Sequence, residues 1–164
     1  MHIRLANSQE LSIIEALARQ IWPSTYTGII SQVQIDFMLD WMYSTKTLQE
    51  QSAAGHEFYI LNTDGLDSGF MALEWVDQQG KSELKINKLY VLPSIQGKGA
   101  GHSLVNKAIE RAQTSTVRSI FLQVNKANKA KNFYLKLGFE IREEAVFDIG
   151  NGFIMDDYIM ALPL

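Results

Sequence analysis

The chain of 164 residues carries 15 Lys and Arg against 18 Asp and Glu, a formal charge of −3, with 46% apolar residues and no cysteine. That length suits one domain, 1–164, and the mild acidity gives no electrostatic reason to hold nucleic acid. The missing cysteines exclude disulfides, thiolate metal sites and a cysteine nucleophile. With no secretory h-region and no run of about 18 apolar residues, the reading is a cytoplasmic protein that leaves membranes alone.

The opening alternation His2-Ile3-Arg4-Leu5-Ala6 predicts a short strand, after which Asn7 or Ser8 supplies an N-cap with Glu10 in the first turn. Leu11, Ile14, Leu17, Ala18 and Ile21 recur at helical spacing, and Pro23 marks the expected end of that helix. A second helix is read over Ser31 to Tyr43, with Val33, Phe37, Met38 and Trp41 carrying its pattern, and a shorter one over Thr45 to Ala53.

From Glu57 the period changes to that of strands. Phe58 to Leu61 is closed by the turn Asn62-Thr63-Asp64-Gly65; Ser68 to Val76 follows; Asp77 to Lys81 makes a hairpin loop; and Glu83 to Leu92 is a long third strand. A helix after Gly99 turns Leu104, Val105, Ala108, Ile109 and Ala112 inward, and Ser119 to Val124 reads as a buried strand. Asn128 caps a further helix through Leu137, where Gly138 takes the left-handed position. Two final extended segments are joined across Gly150-Asn151-Gly152. The order describes an α/β (α+β) fold: a mixed, mostly antiparallel sheet of about seven strands with helices on both faces. An exposed strand at the C-terminus offers an edge for a homodimer.

The run Val91-Leu92-Pro93-Ser94-Ile95-Gln96-Gly97-Lys98-Gly99-Ala100-Gly101-His102 takes an apolar strand through glycines into a helix. Such a loop is either a structural turn or an anion cradle, since glycines bring several N–H groups together and the helix adds its unpaired amides. The dinucleotide pattern G-x-G-x-x-G fails, because His102 stands at its third glycine and the next strand ends Gln123-Val124-Asn125 without a carboxylate. The Walker pattern fails as well. The three histidines lack metal-ligand spacing, and Asp148 to Gly152 lacks the repeated oxygen ligands of a calcium loop, so no metal site is expected.

Gln96, Gly99 and Gly101 satisfy Q-x-x-G-x-G, and Asn128-Lys129-Ala130-Lys131-Asn132-Phe133-Tyr134-Leu135-Lys136-Leu137-Gly138-Phe139 matches N-x-A-x-x-F-Y-x-K-x-G-F downstream. Together these segments resemble the GNAT superfamily of acetyl-CoA-dependent N-acetyltransferases; within it, the helical insert around Trp22 to Ala54 and the tail from Ile149-Gly150 to Asp157-Tyr158-Ile159-Met160 resemble the PaiA-like polyamine acetyltransferases. The resemblance implies acetyl-CoA as cosubstrate and a GNAT-type fold. It implies that Leu89, Tyr90 and Val91 pair with the pantetheine arm, and that Gln96, Gly97, Lys98, Gly99, Ala100, Gly101 and His102 hold the pyrophosphate. Asn128, Lys131 and Tyr134 fall beside them, with Tyr134 as the general acid that protonates the departing thiolate.

A base is needed too, because a primary amine is only about 0.04% neutral at pH 7, a cost of about 4.6 kcal/mol. Where relatives carry a strand carboxylate this chain has Lys85 and Asn87. Glu74 is the leading candidate; Glu83, Asp156 and Asp157 acting through water are the others, with Asn87 holding a water or the acceptor. His56 and His102 have the right pKa range for acid–base work. Trp22, Tyr26 and Trp75 are candidate walls of the acceptor pocket, able to clasp a cationic amine, while Trp41 on its helix face reads as core. The leading function is acetyl transfer to a primary amine, a polyamine or other small cation, by direct attack. Peptide amines remain as acceptors, and a non-catalytic acyl-CoA sensor remains as the other class.

Overall fold

The computed structural model describes residues 1–164 except the side chain of Gln78. The strand β1 (His2–Leu5) leads into a 3₁₀ turn in which Asn7 Oδ1 accepts from the amides of Gln9 and Glu10, and Glu10 Oε2 accepts from Asn7 N–H. Helix α1 (Leu11–Tyr26) buries Leu11, Ile14, Leu17, Ala18 and Ile21 as the spacing predicts. It does not stop at Pro23. The proline carbonyl still accepts from Thr27 N–H at 3.1 Å, and the hydroxyls of Ser24 and Thr25 donate to Ile21 O, so one more turn forms beyond the lost donor. That turn carries Tyr26.

Helices α2 (Gln32–Tyr43) and α3 (Thr45–Ala53) start on Ser31 and Ser44, whose hydroxyls accept from the amides of Gln34 and Thr47. On α2 the inward residues are Ile35, Met38, Leu39 and Tyr43, whereas Val33 is 65% and Trp41 49% exposed. Of the expected stripe Met38 is buried and Phe37 packs against the core, but Val33 and Trp41 do not, and Trp41 stacks on Phe37 at the surface.

Strands β2 (Glu57–Thr63), β3 (Leu66–Gln78) and β4 (Lys81–Val91) form the antiparallel meander. Its two connections are tight turns with positive φ at both residues, Asp64-Gly65 and Gln79-Gly80, as right-twisted hairpins require. Helix α4 (Ala100–Gln113) then crosses to β5 (Ser119–Asn125), which lies parallel to β4. Helix α5 (Ala130–Lys136) begins two residues after Asn128, whose side chain accepts from Ala130 N–H. It ends with Phe139 N–H on Tyr134 O and Gly138 at φ 90°.

The last strands, β6 (Glu140–Gly150) and β7 (Phe153–Pro163), complete seven in the order β1-β2-β3-β4-β5-β7-β6. The C-terminal strand is therefore interior, between β5 and β6, and the edge at that end belongs to β6. One core gathers α1, α2 and α3 against β2 and β3; the other gathers α4 and α5 against the opposite face.

Candidate functional site

Two features of β4 open the sheet. Ala72 of β3 faces Lys88 while its neighbour Leu73 faces Ile86, so Asn87 is an extra residue bulged from the ladder. The pairing of β4 with β5 runs only from Leu84 to Ile86, opposite Ile120 to Leu122. Beyond that point the strands part, and β4 keeps an unpaired edge through Leu89 and Val91. The parting makes a cleft of about 850 Å³, walled by β4, β5, the end of α1 and the face of α5 that carries Phe133 and Tyr134.

The glycine loop closes one end of the cleft, and its glycines answer two different needs. Gly97 and Gly99 have φ of 77° and 84° with open space where a Cβ would stand, so conformation demands them. A Cβ on Gly101 would come 3.1 Å from Phe133 Cζ, so there the demand is close approach. Ser103 N–H reaches Gly99 O, while the amides of Ala100, Gly101 and His102 precede any helical acceptor. These amides, with the N-terminal end of the α4 dipole, suit an anion. Gln96, Gly97, Gly99, Ala100, Gly101, His102 and Asn128 all line the cleft; Lys98 and Lys131 do not, and Lys131 sits 5.1 Å over the Tyr158 ring.

Tyr134 lines the cleft at 7% exposure, packed edge-on between Phe133 and Phe139. Burial pushes its phenol up, so it stays protonated at neutral pH and can donate. Across the cleft, Tyr26 and Tyr90 place their hydroxyls 2.8 Å apart, both raised by burial. Trp22 packs 4.4 Å behind Tyr26 and is 1% exposed, which makes it core instead of pocket wall. Trp75 is elsewhere: it donates to Glu57 beneath Arg111 and lines a separate cavity of about 230 Å³.

Glu74 stands outside the cleft. Its Oε2 accepts from Asn87 Nδ2 at 2.8 Å, its Oε1 lies 3.8 Å from His56 Nε2, and only Asn87 of these three lines the cleft. Burial lowers the His56 pKa, and its Nδ1 finds no partner among the described residues. Of the other candidate acids, Glu83 is held by Ser119 and Arg142, and Asp156 is paired with Lys126.

Lys88 was not anticipated from the sequence. It lines the cleft yet is 2% exposed, donating to Gln51 Oε1 and Asn87 Oδ1 with its ammonium 5.2 Å over the Tyr43 ring. Burial lowers its pKa to about 8. The available signal was alternation, since Leu84, Ile86, Lys88 and Tyr90 share one parity; the bulge at Asn87 then turns Lys88 and Tyr90 to the face of α1 and α3.

A family model described as an acetyltransferase (GNAT) domain matches residues 54–141. An uncharacterized N-acetyltransferase of Methanocaldococcus jannaschii is 38% identical over 90 residues, 52% of this chain. The chain spans only 40% of that protein's length, and 53% of a similarly matched relative from Mycobacterium bovis. A spermidine N(1)-acetyltransferase of Thermoplasma acidophilum is 27% identical over 162 residues, covering 95% of this chain and 96% of its own. The fold matches the crystal structure of PaiA N-acetyltransferase from Thermoplasma acidophilum in complex with coenzyme A, with a TM-score of 0.80, 24% identity and 100% of both chains covered.

Proposed function

The chain belongs to the GNAT acetyltransferase family, and from that premise we propose that it moves the acetyl group of acetyl-CoA to the primary amine of a small cation of the polyamine kind. The observation that carries this is the parting of β4 from β5 over a glycine loop at the start of α4, which supplies an unpaired strand edge and a set of free amides in one cleft. The amides of Gly97, Gly99, Ala100, Gly101 and His102 take the pyrophosphate, Lys98 N–H being held by Ile95 O, and the free edge of β4 at Leu89 and Val91 takes the amide-bearing arm. A helix end contributes only about 0.3–1 kcal/mol to such an anion, so the hydrogen bonds supply most of the hold.

With no cysteine in the chain, direct attack of the amine on the thioester is the reading, and Tyr134 protonates the leaving thiolate. A thiol of pKa about 8.5 leaves readily enough for a weak acid to serve. The polyamine acceptor is supported by the full-length likeness to a spermidine acetyltransferase and by the aromatic wall of Tyr26 and Tyr90, suited to a cation. We read residues 1–164 as one catalytic domain acting in the cytoplasm; among the described residues no helix is long and apolar enough to cross a membrane.

The test is incubation with acetyl-CoA and a panel of polyamines, amino acids, aminoglycosides and peptide N-termini, following free CoA with a thiol reagent. Release with polyamines is expected; release with peptides alone moves the acceptor class. Binding of acetyl-CoA without release to any of them favours a sensor.

A further inference from the structure

A cofactor arm that leaves the glycine loop along the free edge of β4 runs back past Val91 and Leu89 toward the point where the two strands meet. Asn87 stands at that point. The ladder of β4 and β5 ends with Ile86 opposite Leu122, so Asn87 and Gln123 would form the next pair, and both line the cleft instead. At about 3.3 Å per residue, Asn87 lies no more than about 7 Å along the strand from Leu89. The acyl end of the arm therefore comes to rest beside a carboxamide, in a cleft that no carboxylate lines.

That carboxamide is held at both ends from outside the cleft. Its Nδ2 donates to Glu74 Oε2 at 2.8 Å, and its Oδ1 accepts from Lys88 Nζ at 3.0 Å. A carboxylate oxygen can only accept and an ammonium can only donate, so turning the amide over would set oxygen against oxygen and N–H against N–H. Lys88 is anchored in turn on Gln51 Oε1 of α3, and the other oxygen of Glu74 lies 3.8 Å from His56 Nε2. After these bonds Asn87 keeps one Oδ1 lone pair and one Nδ2 hydrogen. The difference between the two ends matters to an amine. A nitrogen that donates N–H to Oδ1 keeps its lone pair free for the thioester, whereas an amide turned over would donate into that lone pair and occupy the electrons the attack needs.

We propose that the Asn87 carboxamide receives the acceptor nitrogen, and that Glu74 and Lys88 are positioning residues that hold it in the orientation which leaves the nitrogen free to attack. The proposal rests on the acetyl-transfer reading of the cleft. The acceptor ammonium gives one proton to solvent and donates a remaining N–H to Asn87 Oδ1. Its lone pair forms the C–N bond, the C–S bond breaks, and the thiolate takes a proton from Tyr134, which recovers one from the nitrogen. Glu74 takes no proton in this scheme. It acts only through Asn87.

The test compares wild type, Glu74→Ala, Glu74→Gln, Asn87→Ala and the double variant Glu74→Ala with Asn87→Ala, all with acetyl-CoA and spermidine. Glu74→Ala is expected to lower kcat by about ten- to a hundredfold, as the loss of a charge-assisted hydrogen bond and of the geometry it holds would do. Acetyl-CoA affinity, read by calorimetry, is expected to hold in every variant. Glu74→Gln is expected to regain most of the loss, because its Oε1 can still accept from Asn87 Nδ2. The double variant is expected to be no slower than Asn87→Ala alone, since a residue that acts through another adds nothing once that other is gone. Thermal midpoints are expected to stay close to wild type for the Glu74 variants, whose side chain is 32% exposed. Wild-type kcat in Glu74→Ala, or losses that multiply in the double variant, overturn the proposal while leaving acetyl transfer intact. Glu74→Gln as slow as Glu74→Ala makes Glu74 a base in place of a clamp and overturns it equally. A wild type that releases no CoA overturns both readings.

Discussion

Replacing Lys88 by Met asks whether the fold carries its buried ammonium at a loss. Lys88 is 2% exposed, its two hydrogen-bond acceptors are the neutral Gln51 and Asn87, and burial brings its pKa from 10.5 to about 8. Below about pH 8 both folded and unfolded chains hold the proton, and the folded state bears the whole penalty. Between about 8 and 10.5 the folded chain sheds its proton first, so stability rises with pH. At about 1.4 kcal/mol per pH unit the full effect is about 3 kcal/mol, of which about 2 kcal/mol falls between pH 7 and 9.5. Met fills similar space and cannot titrate, but leaves the Gln51 and Asn87 oxygens without their donor, a cost of about 1–3 kcal/mol. The two variants of the chain should thus be close at pH 7, and wild type should pull ahead by about 2 kcal/mol at pH 9.5. Urea unfolding at the two pH values gives the difference, in which all other titrations cancel. Parallel stabilities across that range would refute the assignment of a depressed, buried Lys88.

Gly99→Val should weaken acetyl-CoA binding by about a hundredfold or more, read by calorimetry, because charge-assisted amide hydrogen bonds of about 1.5–3 kcal/mol each are lost together. The fold should persist with a single melting transition, since the left-handed strain is only about 1–3 kcal/mol and a Cβ there meets nothing. Tyr134→Phe should lower kcat by about ten- to a thousandfold with acetyl-CoA affinity unchanged; wild-type turnover would remove the phenol from the mechanism. Gly69→Ala places its Cβ 2.8 Å from Val91 Cγ1 and 2.9 Å from Tyr90 O. It should cost about 1–3 kcal/mol in denaturant unfolding and weaken acetyl-CoA binding by shifting the free edge of β4.

Local chemistry made much of this fold readable. Asn-Thr-Asp-Gly and the Gly150-Asn151-Gly152 turn announce hairpins because few residues tolerate positive φ, and those turns stand where expected. The glycine loop and the Asn128 to Phe139 segment were legible for the same reason. Side-chain direction was harder to read. Trp22 and Tyr26 lie four apart on one helix, yet Trp22 is sealed beneath the ring of Tyr26; only the turn added beyond Pro23 brings Tyr26 to the cleft. The bulge at Asn87 reverses the parity of β4, and nothing in Ile86-Asn87-Lys88 marks an extra residue. Likewise the interior place of β7 comes from long-range pairing that no local pattern encodes.

The two buried charges then bear on each other's meaning. Lys88 and Asp157 face the same layer of helices, one from β4 and one from β7, each 2% exposed. They form no ion pair with one another among the described residues, and each is shifted toward its neutral form by burial. A scaffold selected only to fold would replace both with apolar side chains. Groups that destabilise the fold in this way gather where a site needs them. Lys88 holds Asn87 at the bulge that parts the strands, and through Asn87 it is tied to Glu74. The opening is therefore shaped in part by a buried charge, so neutralising Lys88 should disturb acceptor geometry through the bulge at Asn87.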